Sequence, residues 1–230
     1  MGSTEPGTRP AAILAAGGIG ERARSDPSEP PKQFQLLAGR PVIQWALEPL
    51  IAVGCDPIVV VLPGQWIAQA EEMLEGPQLL FAIGGATRQE SIHNGLELVT
   101  TPTVVVQDAS RPLIDADLIR KVVGGLATSD AVIAAVPMDE TLKRAKEGLV
   151  VETVDRAGVW KAQTPAAFRT DVLKAAHERA VAEGFVGTDE AQLIERYGGS
   201  VSLVPGSRRN LKITWAEDFE LAEALLKVGG

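Results

Sequence analysis

Short runs of Val, Ile, Leu and Ala alternate with amphipathic helical patterns along almost the whole chain, and this alternation limits the available folds more than any single motif. The apolar runs predict strands over 11–15, 57–62, 79–83, 103–107 and 131–136, with another near 200–204. The 3.6-residue patterns predict helices over 42–52, 64–74, 88–99, 115–127, 170–182, 189–197 and 216–227. Runs such as Ile58-Val59-Val60-Val61-Leu62 lack polar alternation, as strands do when both sheet faces are covered. Aromatic residues make up only 4% of the chain, so the interior must be built from these small aliphatic groups. The expectation is an α/β fold: a Rossmann-like, doubly wound, mostly parallel sheet with right-handed crossovers. In such a fold ligands bind beyond the carboxyl ends of the strands. The loops after Ala15 and after Gln107 both stand at such ends.

The pattern changes over 137–160. Two short alternating segments, 140–145 and 149–154, flank Lys146-Glu147-Gly148, which is a hairpin signature. An inserted β-hairpin arm is expected at about 137–160, within a single domain over 11–230. Such an arm cannot bury a core of its own and suits packing on a second copy of the chain, a homodimer. Residues 1–10 are polar and rich in Gly, Pro and Thr, without the apolar core of a signal peptide, and are expected to be a disordered lead-in. No apolar run reaches the length of a membrane helix, and a cytoplasmic protein is expected.

A formal charge of −8 argues against a nucleic-acid-coating surface, but it leaves room for a few cations focused in one cleft. The single cysteine, Cys55, excludes an internal disulfide and a cysteine metal cluster, and its apolar setting suits packing.

The first strand runs into Ala15-Ala16-Gly17-Gly18-Ile19-Gly20-Glu21-Arg22. Small residues let a backbone approach a nucleotide closely, and successive N–H groups can cradle phosphate. Gly18-x-Gly20-x-x-Ala23 also fits the dinucleotide fingerprint, which requires an immediate helix and an acid ending the second strand. Here Pro27, Pro30 and Pro31 follow instead, and the second strand ends in Leu62-Pro63. What the loop does carry is cations, Arg22 and Lys32, the latter in Pro30-Pro31-Lys32-Gln33. Isolated, each would be an ordinary surface charge; paired on a glycine-rich loop they suit a triphosphate with a departing pyrophosphate.

Further motifs stand at other loops. Gly84-Gly85-Ala86-Thr87-Arg88-Gln89-Glu90-Ser91 joins a strand to a helix, as a capped tight turn or as a site for a pyrimidine edge. Gln107-Asp108-Ala109-Ser110-Arg111-Pro112 puts a carboxylate at a strand end. That carboxylate could be a turn residue, or one ligand of Mg²⁺, which takes one or two carboxylates and completes its shell with water and phosphate. Glu140-Thr141-Leu142-Lys143 and Thr153-Val154-Asp155-Arg156 lie on or beside the arm, where charged edges also discourage aggregation. Asn210-Leu211-Lys212-Ile213-Thr214 precedes the last helix.

Together these segments resemble the CTP-dependent nucleotidyltransferases that activate phosphorylated polyols, and among them the 2-C-methyl-D-erythritol 4-phosphate cytidylyltransferase family of non-mevalonate isoprenoid synthesis. The resemblance covers nearly everything after the first ten residues. It implies transfer of CMP from CTP to the polyol phosphate with release of pyrophosphate. It assigns Arg22, Lys32 and Lys212 to the reacting phosphates, and Ala16, Gly17, Gly18, Gly20, Gly85, Ser91 and Ala109 to the nucleotide. It gives Asp108 to Mg²⁺ and substrate, Arg111 to substrate, and Thr141 and Arg156 to the polyol phosphate held in a partner subunit's site. Arg suits that task because its planar fork binds phosphate at two points. The chain departs from the family at Ala86, where an acid is common, and at Gln107 and Ser110, which stand in place of His and Ala. Arg209 stands where relatives often carry an acid, and Trp215-Ala216 replaces x-Pro.

A phosphate monoester is mostly dianionic at neutral pH, its second pKa being about 6, so the implied attack needs no general base. The only histidines, His93 and His177, lie outside the motif loops and are read as structural. Two other readings stand beside this one. Ribitol 5-phosphate cytidylyltransferases share the loops, though Thr153-Val154-Asp155-Arg156-x-Gly-x-Trp160 and Thr188-Asp189-Glu190-Ala191 lean toward methylerythritol phosphate. A non-catalytic nucleotide-binding regulatory module would bind CTP without releasing pyrophosphate.

Overall fold

The apolar runs all become strands. The structure, a computed structural model, describes residues 9–18, 30–76 and 79–228. Among them, β1 (Ala11–Ala15), β4 (Ile58–Leu62), β5 (Leu79–Ile83), β6 (Thr103–Asp108), β7 (Ala131–Pro137), β10 (Trp160–Arg169) and β11 (Val201–Pro205) form a seven-stranded sheet ordered β11-β7-β10-β6-β1-β4-β5. A two-residue ribbon, β2 (Leu36–Leu37) with β3 (Arg40–Pro41), lies apart from it. The β11–β7, β6–β1, β1–β4 and β4–β5 pairs are parallel. Strands β1, β4, β6 and most of β7 are buried on both faces, whereas the two edge strands keep exposed residues such as Leu80, Ile83 and Leu203.

Alternate residues of each strand feed separate cores, as the two-residue period of a strand requires. Leu14, Val60 and Val105 face α1 (Val42–Val53) and α4 (Ala116–Gly125), with α2 (Ile67–Met73) alongside. Ile13, Val59, Val61, Val104 and Val106 face α3 (Arg88–Leu96), α5 (Thr170–Glu183) and α6 (Glu190–Arg196). A smaller cluster of Leu37, Val42, Ile213 and Ala222 seats α7 (Glu217–Val228). Gly95 of α3 is a close-approach position, since a Cβ there would lie 2.9 Å from Val61 and 3.2 Å from Ile13.

The arm is a hairpin of β8 (Leu142–Lys146) and β9 (Leu149–Val154), paired antiparallel. Its turn sets Glu147 and Gly148 at φ 52° and 81°, the left-handed pair of a tight hairpin turn. Leu149, Val150 and Val151 on β9 are exposed in the single chain. The arm leaves the sheet where Pro137 pairs with Trp160, so its base coincides with the ends of two sheet strands.

One element departs from the expected pattern. After Trp160 the chain returns as β10, inserted between β7 and β6 and antiparallel to both. Its run is broken by Gln163-Thr164-Pro165, and an internal proline argues against a central strand. The sheet accommodates it through a register shift between Gln163 and Ala166. The strand therefore ends its apolar alternation where it passes the carboxyl end of β6, and this brings Thr164 to Asp108.

Candidate active site

A cavity of about 470 Å³ opens at the carboxyl ends of β1, β4, β5 and β6, within the usual range for a small-molecule site. Its walls come from the loops already singled out: Ala16, Gly17 and Gly18 after β1, Gly85 and Ser91 around the start of α3, and Asp108 and Ala109 at the end of β6. Lys32 and Lys212 line it from two further segments. Gly20 and Arg22 lie outside the described residues.

Small residues are demanded here by proximity. Ser91 Oγ sits between the two glycine loops: a Cβ at Gly17 would approach it to 3.0 Å, and one at Gly84 to 3.1 Å. The hydroxyl donates to the Thr87 carbonyl at 2.9 Å and accepts from the Gly85 N–H at 3.1 Å. Helix α3 begins in a capping box, in which Thr87 accepts from the Glu90 N–H and Glu90 reaches back to the Thr87 N–H. The same Glu90 carboxylate accepts from the Ala86 N–H at 2.7 Å. The first loop is held by Gln33, only 2% exposed, whose amide donates to the carbonyls of Ala16 at 2.7 Å and Gly18 at 3.1 Å. That clamp engages two loop carbonyls and sets the backbone in place.

Asp108 is the electrostatic centre. Its Oδ2 accepts from Lys212 Nζ at 2.7 Å, its Oδ1 from Arg88 at 3.3 Å, and Arg111 Nε lies 3.8 Å from Oδ2. Its backbone N–H donates to Thr164 Oγ1 at 3.0 Å, across from the interrupted part of β10. Burial pushes the Asp108 carboxyl up, but Arg88, Lys212 and Arg111 outweigh it and hold the group far below the ordinary carboxylate range. It is therefore ionised at any working pH. Lys32 Nζ donates to the Ile213 carbonyl at 2.7 Å, which ties the proline-rich segment to the stretch carrying Lys212.

Three expected site residues stand elsewhere in the single chain. Arg111 is buried behind Asp108 rather than on the cavity wall, donating to the Asn210 carbonyl at 2.7 Å. Thr141 and Arg156 are exposed beside the arm and do not line the cavity, and Arg156 donates to the Asp139 carbonyl. Conversely, Arg88 and Gln33 stand inside the quoted motifs without an assigned role, and Thr164 lies outside them; Arg88 and Gln33 line the cavity and Thr164 holds the Asp108 backbone. For Arg88 the available signal was a cation in the first turn of a helix, where the dipole disfavours it.

Mg²⁺ sets requirements that this donor set can meet. Among the described residues Asp108 is the one carboxylate on the cavity wall, and no group of three His, Cys, Asp or Glu could hold a metal by itself. One ionised carboxylate that shares a cation with substrate phosphates and water is an ordinary Mg²⁺ arrangement, so the residues fit.

The family model described as 2-C-methyl-D-erythritol 4-phosphate cytidylyltransferase (IspD) matches residues 11–228. The chain belongs to this family. A 2-C-methyl-D-erythritol 4-phosphate cytidylyltransferase of Aquifex aeolicus (strain VF5) is 39% identical over 215 residues, covering 94% of this chain and 96% of that protein. One from Geotalea uraniireducens (strain Rf4) is 38% identical over 230 residues, covering 95% and 97%. The crystal structure of the Thermus thermophilus protein of that name superposes with a TM-score of 0.80 at 30% identity, over 96% of this chain and 100% of the other. These relatives carry the methylerythritol phosphate name rather than that of ribitol phosphate. Among the described residues no helix is long and apolar enough to cross a membrane.

Proposed function

We propose that this chain transfers CMP from CTP to 2-C-methyl-D-erythritol 4-phosphate. The observation that carries the reading is the cavity itself: Lys32, Lys212 and Arg88 line it together with Asp108, the one carboxylate on its wall among the described residues, at the strand ends of a cytidylyltransferase-family chain. A phosphate oxygen of the polyol attacks the α-phosphorus in line, a new P–O bond forms, and the bond to the bridging oxygen of the β-phosphate breaks. The electron pair leaves with pyrophosphate, and no proton needs to be removed from the attacking dianion. Rate enhancement comes from position and electrostatics. Lys32 and Lys212, with Arg22 of the first loop, meet the charge that grows on the α-phosphate and the leaving group. Asp108 would hold Mg²⁺, which shields phosphate charge when bound.

Base choice follows from the second glycine loop. The N–H groups of Gly85 and Ala86 are already engaged, so the loop presents acceptors, including the second lone pair of Ser91 Oγ. Cytosine offers a donor amine at position 4, where uracil offers an acceptor. The arm supplies the acceptor site: a homodimer would carry Thr141 and Arg156 to a partner's cavity, consistent with the exposed Leu149, Val150 and Val151 of β9.

The test is pyrophosphate release with Mg²⁺ and CTP or UTP, against methylerythritol 4-phosphate, ribitol 5-phosphate or no acceptor. Release with CTP and methylerythritol 4-phosphate alone is expected. Release with ribitol 5-phosphate instead would move the acceptor, and CTP binding without release under any condition would refute the enzymatic reading.

A further inference from the structure

Two buried acids face one arginine next to the cavity. Arg88 is the first residue of α3, a poor place for a cation on helix-dipole grounds. It stays there because Nη1 donates to both oxygens of Glu190 at 2.6 and 2.8 Å, while Nη2 donates to Asp108 Oδ1 at 3.3 Å. Glu190 is 3% exposed and opens α6, where the same dipole favours an acid. The spacing is enforced independently. Gln89 donates to the Phe185 carbonyl and accepts from the Gly187 N–H, which ties the start of α3 to the loop leading into α6.

The distribution of contacts matters for Asp108. Glu190 takes both short bonds through Nη1 alone, so the fork is shared between two acids and its Nη2 arm reaches Asp108 through one long contact on Oδ1. Oδ2 is thereby left to Lys212 at 2.7 Å. With Glu190 neutral, Arg88 would have Asp108 as its remaining ionic partner and would draw that carboxylate toward α3, away from Lys212. Across Glu190, Arg88, Asp108, Arg111 and Lys212 the formal charge is +1, and neutralising Glu190 makes it +2.

We infer that Glu190 and Arg88 are a positioning pair for Asp108: the Glu190–Arg88 fork sets the orientation of the Asp108 carboxylate, and through it Lys212 and the substrate phosphates. The inference rests on the proposed reaction, and its test is separable from it. Glu190→Gln and Arg88→Lys would each be made alone and with Asp108→Asn. The measurements are the dissociation constant of CTP with Mg²⁺ by calorimetry, kcat and KM, and the thermal midpoint. Outer positioning partners of a metal-site carboxylate typically change affinity or activity by about 10–100-fold. Each single variant should therefore lose about tenfold or more in CTP affinity or kcat. Arg88→Lys should lose as much as Glu190→Gln although it keeps the charge, because an ammonium cannot replace the fork. In the Asp108→Asn background either change should alter the same quantity by about twofold or less, the non-additivity of groups acting through one another.

Undiminished losses in that background would overturn the inference, and so would wild-type behaviour of Arg88→Lys. A merely structural pair would lower the thermal midpoint and leave affinity and kcat unchanged at temperatures where the variants are folded. If Glu190→Gln does not fold, the Arg88→Lys cycle decides alone. A wild-type protein that binds CTP but releases no pyrophosphate sinks the reaction, while the calorimetric cycle still judges the positioning.

Discussion

Lys212→Ala separates catalysis from stability more cleanly than any other substitution in the cavity. The ammonium lies 2.7 Å from Asp108 Oδ2, yet the lysine side chain is 40% exposed, so solvent screens the pair in the ground state. With its lysine screened in this way the pair contributes about 1 kcal/mol to stability, the upper end for a solvent-exposed pair. Asp108 also keeps Arg88 at 3.3 Å and Arg111 at 3.8 Å after the change, so no charge is left stranded in the interior. For a chain of this size that predicts a fall in Tm of no more than about 4 °C. The transition state is different, because charge grows on phosphate oxygens inside a cavity arranged to receive it. Losing one preorganised group of this type costs roughly 2.7–4 kcal/mol, or about 10²–10³ in kcat. The assay is pyrophosphate release at saturating CTP and acceptor, beside a thermal melt of the same preparation. A kcat within about threefold of wild type would refute the assignment of Lys212 to the reacting phosphates. A collapse of Tm with proportionate loss of activity would show instead that the Asp108 cluster is structural.

Gly85→Ala should raise the KM for CTP by about tenfold, since a Cβ would lie 2.3 Å from Glu90 Cβ and displace the capping box, an overpacking cost of about 1–3 kcal/mol; an unchanged KM would mean that this loop does not touch the nucleotide. His177 is fully buried, neither ring nitrogen has a hydrogen-bond partner among the described residues, and burial, with smaller effects of His93 and Arg88, lowers its pKa to about 4. The unfolded chain therefore binds the extra proton between about pH 6.5 and 4, and stability falls as pH drops through that window, by about 3 kcal/mol in total. His177→Leu should flatten this dependence in urea titrations at about pH 7 and pH 4.5, and an identical pH slope in both proteins would exclude His177 as its source. Arg156→Ala co-expressed with Lys212→Ala should recover about a quarter of wild-type activity, because a mixed dimer has one site with its own Lys212 and the partner subunit's intact arm. Recovery no greater than the mean of the two parents would contradict an arm that reaches across.

The kinds of elements and the places where chemistry could occur were legible in local residue patterns. Short unbroken aliphatic runs bounded by turn residues suit strands covered on both faces, and β1, β4 and β6 are such strands. Their carboxyl ends carry the glycine loop and Asp108, so the placement of the cavity followed from periodicity and chain direction. Lys146-Glu147-Gly148 was legible as a turn because the left-handed backbone it needs is a local property. Tertiary structure alone decided what depends on residues far apart in the chain. Nothing local places an antiparallel β10 between β7 and β6, since Gln163-Thr164-Pro165 interrupts its alternation and the strand is held by its neighbours' ladders. Nothing local pairs Arg88 with Glu190, 102 positions away, or Lys212 with Asp108, 104 away. Arg111, in the same motif as Asp108, lies 3.8 Å from that carboxylate without lining the cavity, because its guanidinium is drawn to the Asn210 carbonyl 99 positions away. Backbone periodicity is a short-range property and survives in the sequence. Which side chains meet, and which of them reaches the cavity, is settled only when the helices and strands pack.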